Sequence, residues 1–101
     1  MDVLPDIFPF QRRLEELSAQ MAEPGFYANP RRAADVTRER QRLAQLIEEY
    51  QAYERLDRET VEAREFERDP AADPELREMA AAELPELEKK RDALRQSILL
   101  A

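Results

Sequence analysis

The chain contains no cysteine, no histidine and no tryptophan, and only one of its 101 residues is glycine. Without cysteine and histidine, the common zinc-ligand spacings and the Cys/His or Ser/His nucleophile pairs are excluded. The single glycine, Gly25, cannot build a phosphate-cradling loop, which needs several glycines. We therefore predict that the chain is not an enzyme and has no catalytic, cofactor-binding or metal-binding residues.

Long apolar segments and a targeting leader are missing as well. No run of about 18 apolar residues could span a bilayer, so we expect no membrane partner. No charged-then-apolar leader opens the chain, and the lack of cysteine suits a reducing compartment, so we expect a cytoplasmic location. The net charge is −7, which disfavours direct contact with nucleic acid phosphates.

What the sequence does contain is charge, 39% of all residues, arranged with helical periodicity. The longest uninterrupted pattern runs from Asn29 to Phe66, with Asn29 suited to cap a helix and Pro30 to its first position. Apolar residues recur along it at steps of three or four, which places them on one stripe: Val36, Leu43, Leu46, Ile47, Tyr50, Tyr53 and Leu56. A long helix with one apolar stripe needs partners along its length.

Two flanking segments are predicted to supply those partners. The first is a helix that follows Asp6 and ends before Pro24-Gly25, and the second is a helix capped by Asp73 with Pro74 at its first position. We place the three helices at about 6–22, 30–67 and 73–100. Pro85 interrupts the last pattern without shifting its apolar phase, so it predicts a kink rather than a break.

Short connections make neighbouring helices antiparallel. The predicted fold is all-α: one domain, residues 1–101, forming an elongated antiparallel three-helix bundle whose second and third helices continue as a coiled-coil hairpin. The tip of this hairpin is the segment 68–73. Its charged residues Arg68, Asp69 and Asp73 are the predicted contact residues.

Two local features have a structural and a functional interpretation. Phe26 and Tyr27 lie in the first connection, where they either form a binding site or, as we favour, plug the end of the bundle. Five arginines crowd the start of the long helix. They either contact RNA phosphate or, as we favour, form a polar face paired with neighbouring acids: Arg31, Arg32, Arg38, Arg40 and Arg42.

Two motifs in order along the chain carry a family resemblance. The segment 73–88 reads DPELREMAAAELPELE and continues to Ile98-Leu99-Leu100, and the loop 24–30 reads PGFYANP. Over about residues 14–100 the chain resembles the amino-terminal helical (PCRF) domain of bacterial class I peptide chain release factors. The third helix is more similar to the type-one factor and the middle part to the type-two factor, so the sequence leaves the parent's type, and hence its stop-codon choice, open.

The resemblance implies a role in translation termination by docking. In that family this domain projects toward the stalk base of the ribosome, so the ribosome is the implied partner, reached through a parent release factor. The chain departs from the family at Pro85, where a helix former is usual. It also lacks the Gly-Gly-Gln loop and the stop-codon-reading tripeptide. We therefore expect an isolated first domain of a longer protein.

Two other functions stay open. The chain could be a stand-alone coiled-coil scaffold or adaptor that resembles release factors only in the charged and leucine-rich composition common to helical bundles. It could also be a helical arm that contacts RNA, a function that the net charge disfavours. A homodimer is also left open, because an incompletely covered apolar stripe favours self-association.

Overall fold

The computed structural model describes residues 4–101, which form three α-helices and one short 3-10 turn. Helix α1 is Phe8–Met21, helix α2 is Pro30–Arg68 and helix α3 is Pro74–Leu100, and the 3-10 turn is Phe26–Ala28. No strand occurs in the described part of the chain. The prediction of an all-α chain with three helices is confirmed, with each boundary within two residues of its predicted place.

The helices begin where the sequence places side-chain acceptors. The Asn29 Oδ1 atom accepts the Arg32 backbone N–H at 3.2 Å, and the Asp73 Oδ1 atom accepts the Glu75 N–H at 2.8 Å. In α1 the N-cap position is occupied by Ile7, and Asp6, the residue before it, accepts the Phe8 N–H at 3.0 Å. Each bond satisfies a backbone donor that has no partner inside its helix.

Two compact units divide the chain, one ending at Glu48 and the other running from Glu49 to Ala101, and α2 contributes to both. In the first unit α1 lies antiparallel to the start of α2, because Arg13 bonds to Glu39 whereas Gln20, further along α1, bonds to Arg32. Its buried core consists of Leu17, Phe26, Ala33 and Val36, with Met21 and Leu43 packed against it.

The second unit is an antiparallel pair formed by the rest of α2 and by α3. Along α2 the bonded positions rise while their α3 partners fall: Glu49 with Ser97, Asp57 with Arg91, and Arg64 with Glu88. Its buried residues are Thr60, Ala80, Leu84 and Ile98. The antiparallel hairpin of α2 and α3 therefore has the predicted pairing, and the prediction of one domain over 1–101 stays a prediction.

The connection between α1 and α2 turns at Gly25, whose φ of +79° lies in the left-handed region that glycine adopts without strain. Phe26 follows with only 2% of its surface exposed, whereas Tyr27 is 71% exposed. The predicted end plug is thus confirmed for Phe26 and wrong for Tyr27. The 3-10 turn directs the first ring into the core, and the second ring meets it only edge-on, with centroids 4.9 Å apart.

Helix α3 continues through Pro85 without a break, as expected from the unshifted apolar phase. The predicted bend there stays a prediction. No helix within residues 4–101 is long and apolar enough to cross a membrane.

Candidate functional site

The predicted contact residues lie together on the turn that joins α2 to α3. Arg68 ends α2, Asp69 begins the turn and Asp73 caps α3, and all three are exposed. The connection is short and polar, so charged side chains at both helix ends face solvent within one small region. We call residues 68–73 the hairpin turn.

Both aspartates of the hairpin turn also stabilise its backbone. The Asp69 Oδ1 atom accepts the Ala71 N–H at 2.9 Å, and Asp73 accepts the Glu75 N–H as described above. In addition, the Arg77 Nε–H donates to the Glu67 carbonyl at 3.1 Å, which ties the first turn of α3 to the last turn of α2. The hairpin turn is therefore an ordered element, and the Arg77 bond had no signal in the sequence.

An apolar groove lies beside the hairpin turn, between the end of α2 and the start of α3. It has a volume of about 420 Å³, and its apolar lining residues are Ala63, Phe66, Leu76, Met79, Ala80 and Leu87. Three glutamates complete the lining: Glu59, Glu62 and Glu83. We call this the Glu-rimmed groove.

Sequence reasoning missed this groove. Leu76 and Met79 recur with Ala80 and Leu84 at the three- and four-residue spacing that favours burial in a helix, yet they are 50% and 58% exposed. Two small residues, Ala63 of α2 and Ala80 of α3, line the groove beside them. The signal available in the sequence was the occurrence of alanines close to large apolar residues, both near the end of α2 and near the start of α3.

The arginine-rich start of α2 is largely paired with neighbouring polar groups. Arg40 donates to the Ser18 hydroxyl at 3.0 Å, Arg38 bonds to Asp35 at 2.9 Å, and Arg32 lies 3.9 Å from Glu23. These contacts support the predicted structural role of the basic face.

A bidentate ion pair joins the two helices of the first unit. The Arg13 guanidinium bonds to both carboxylate oxygens of Glu39, at 2.9 and 3.1 Å, and also to Glu16. The hydrogen bond from Arg13 holds the pKa of Glu39 below its ordinary value, and the same bond raises the pKa of Arg13. Both side chains are about 40% exposed, so solvent screens the pair and its contribution to stability is small.

Comparison with known families decides where this fold belongs. The protein-family model of the PCRF domain matches residues 10–101, a range that includes all of α2, all of α3 and the hairpin turn. The chain belongs to the PCRF domain family. The alternative that the chain resembles release factors only in its charged and leucine-rich composition is therefore wrong.

Three relatives of this PCRF domain, from different bacteria, share the same name. The chain is 36% identical over 98 residues to a protein of Akkermansia muciniphila named Peptide chain release factor 1, covering 97% of the chain and 27% of that protein. Proteins of the same name from Geobacter sulfurreducens and Sorangium cellulosum are 38% and 36% identical, over 87% and 83% of the chain and 24% and 22% of their own lengths. The PCRF chain thus spans about a quarter of these relatives. No solved structure matches it significantly.

The PCRF domain exposes charged side chains at the hairpin turn and apolar side chains in the Glu-rimmed groove. Within residues 4–101 no group of three or more acidic side chains converges as a metal site would require. The same residues contain no buried side-chain polar atom that lacks a hydrogen-bond partner.

Proposed function

We propose that this PCRF domain is the non-catalytic first domain of a translation-termination release factor in the cytoplasm, and that it docks the factor on the ribosome near the stalk base. The observation that carries the proposal is the family match over residues 10–101, joined to relatives named Peptide chain release factor 1. Those names favour a type-one parent. The proposal accords with a chain built as helices with charged side chains exposed at the hairpin turn.

The contact we propose is the hairpin turn. Arg68, Asp69 and Asp73 are exposed and carry both signs of charge, so they suit a polar ribosomal surface of mixed charge. Because Asp69 and Asp73 also accept backbone N–H groups, removing their side chains would disturb the turn as well as the charge. The informative replacement is asparagine, whose Oδ1 atom still accepts a hydrogen bond but whose side chain is neutral.

The experiment measures ribosome association of the full-length parent by co-sedimentation. We expect Arg68→Glu, and the double replacement Asp69→Asn with Asp73→Asn, to weaken association about tenfold, as the loss of docking charge pairs implies. The matched control is Arg58→Glu, an equal charge change at another exposed arginine of α2. Unchanged association in both hairpin-turn variants would remove this turn from the docking contact.

A second measurement tests the parent itself. The reading frame that encodes this chain is sequenced beyond Ala101, and we expect it to continue into a Gly-Gly-Gln motif. A stop codon directly after Ala101 would instead favour the free helical adaptor.

A further inference from the structure

The Glu-rimmed groove exposes large apolar side chains in the described structure. Leu76 is 50% exposed, Met79 58% and Phe66 38%, and all three line the same groove. Scattered apolar residues on a surface are ordinary, but several in one concave patch mark an interaction site. Together with Ala63, Ala80 and Leu87 they make up the apolar floor of the groove.

The charge around this apolar floor has one sign. Every charged residue that lines the groove is a glutamate: Glu59, Glu62 and Glu83. Two of the three arginines next to lining residues in the sequence are held by other groups, since Arg64 pairs with Glu88 and Arg77 donates to the Glu67 carbonyl. The third, Arg58, precedes Glu59 and does not line the groove. An occupant therefore meets an apolar surface bordered by negative charge.

We propose that the Glu-rimmed groove binds a basic amphipathic α-helix of another protein. The apolar face of that helix packs on Phe66, Leu76 and Met79, and its flanking lysines or arginines pair with the rim glutamates. A groove between two helices accepts apolar anchors spaced three, four and seven residues apart on a third helix. The α2 wall from Glu59 to Phe66 is about 10 Å long, which matches about two turns of the bound helix.

The rim charge selects this occupant over two others. A second copy of the chain, packed groove to groove, would bring its three rim glutamates against the same three, and like charges across an interface are unfavourable. RNA would bring phosphates to a surface that lacks positive charge, so the counterion release that drives RNA binding would be absent. A basic helix is the occupant that satisfies both the apolar floor and the rim.

This inference goes beyond ribosome docking by the hairpin turn. It concerns different residues, and it can be tested on the 101-residue chain without ribosomes. Failure of groove binding would leave the hairpin-turn proposal unaffected, and unchanged ribosome association of the hairpin-turn variants would leave the groove unaffected.

The test uses three fluorescent helical peptides of about 14 residues, a length that covers the groove and flanking turns. The first has leucines spaced for one helix face and lysines on either side of it. The second keeps the leucines and replaces lysine by glutamate, and the third has the composition of the first with the leucines distributed around the helix. Binding is measured by fluorescence anisotropy at low and at physiological salt.

We expect the first peptide to bind at least about tenfold more tightly than the other two, with an affinity that falls as salt screens the rim charges. The double variant Leu76→Ser with Met79→Ser should weaken its binding by about tenfold, because both residues lose apolar contact area. The matched control is Val61→Ser, which removes an apolar residue that is 43% exposed on α2 and does not line the groove.

Charge reversal gives a second, independent reading. Glu62→Lys with Glu83→Lys should reverse the preference, so that the acidic peptide binds more tightly than the basic one. The control Glu65→Lys, at an exposed glutamate outside the groove, should leave the preference unchanged. Circular dichroism of each variant reports whether the helices are retained.

Equal binding of all three peptides, or binding that is insensitive to the groove variants, would overturn the proposal. A chain that is dimeric by sedimentation and becomes monomeric in the Leu76→Ser and Met79→Ser variant would also overturn it, in favour of a second copy as the occupant.

Discussion

At the scale of single residues, consecutive side chains of the loop before α2 have opposite environments. Phe26 packs with Leu17 in the core of the first unit, and the Arg32 guanidinium lies 5.6 Å from the centroid of its ring. Tyr27 touches that ring edge-on but is largely exposed. The stability of the first unit therefore depends on one aromatic residue of the pair.

Replacing Phe26 by alanine should lower the free energy of unfolding by about 3–5 kcal/mol, since a fully buried aromatic side chain leaves a cavity. Tyr27→Ala is the matched control and should cost about 1 kcal/mol or less, the scale of one aromatic contact. Denaturant titration followed by circular dichroism measures both. Equal effects of the two variants would contradict this account of the loop.

The Arg13–Glu39 pair predicts a pH dependence. Because the pKa of Glu39 is lowered in the folded chain, its carboxylate contributes stability above its unfolded pKa of about 4.3, and this contribution is lost as the pH falls through the lower folded pKa. Glu39→Gln should be less stable than the parent chain at neutral pH, and the difference should shrink as the pH falls through the lowered pKa of Glu39.

Denaturant titrations of both proteins between about pH 7 and pH 3 test this expectation. Glu15→Gln, an exposed glutamate of the same unit, is the control and should track the parent at every pH. A difference between Glu39→Gln and the parent that grows on acidification would show that the pKa of Glu39 is raised instead.

At the scale of helices, the boundaries are set by residues near each end. Asn29 and Asp73 accept backbone N–H groups, and a proline occupies the first helical position after each of them. Pro85 is the exception, because it lies inside α3 and provides no N–H for the helix. Its immediate neighbour Leu84 is buried, so α3 keeps its packing at the point where it loses a backbone bond.

Replacing Pro85 by alanine should raise the free energy of unfolding by up to about 3 kcal/mol, because the helix regains a hydrogen bond and loses a steric clash. Glu86→Ala, at the next exposed position, is the control and should change the stability by a few tenths of a kcal/mol. Thermal and denaturant unfolding measure the effect. A less stable Pro85→Ala chain would mean that a proline-dependent bend is needed to pack Leu84.

At the scale of the whole molecule, negative charge is distributed unevenly. Residues 1–50 contain 7 basic and 9 acidic side chains, and residues 51–101 contain 9 and 14, which together give the net charge of −7. The arginines at the start of α2 are largely paired with neighbouring groups rather than gathered into an open basic surface. The molecule is therefore better suited to basic or mixed protein surfaces than to phosphate.

We expect no measurable binding of single-stranded or duplex RNA to the isolated chain at about 0.15 M salt. The double variant Arg31→Ala with Arg42→Ala should show the same lack of RNA binding as the parent chain, because we expect neither arginine to contact phosphate. Anisotropy of labelled RNA over a salt series provides the measurement. Tight binding that falls steeply with salt and is weakened by this double variant would restore the RNA-arm function.

Much of this protein is determined locally and was therefore accessible from the sequence. The helix ends follow from Asn29, Asp73 and the prolines beside them, because a cap needs only its own neighbours along the chain. The antiparallel pairing follows from short connections, and the family follows from two motifs in the right order. The predicted contact residues likewise share one turn because they are close in sequence.

Burial was decided only by the tertiary structure. A period of three and four residues places Leu76, Met79 and Leu84 on one stripe, yet only Leu84 is buried, because burial depends on what the facing helix presents at each level. The opposite environments of Phe26 and Tyr27 and the Arg13–Glu39 pair have the same origin, since each needs a surface that is distant in sequence. The Glu-rimmed groove has the same origin, since its lining residues come from both α2 and α3 and neither helix determines it alone.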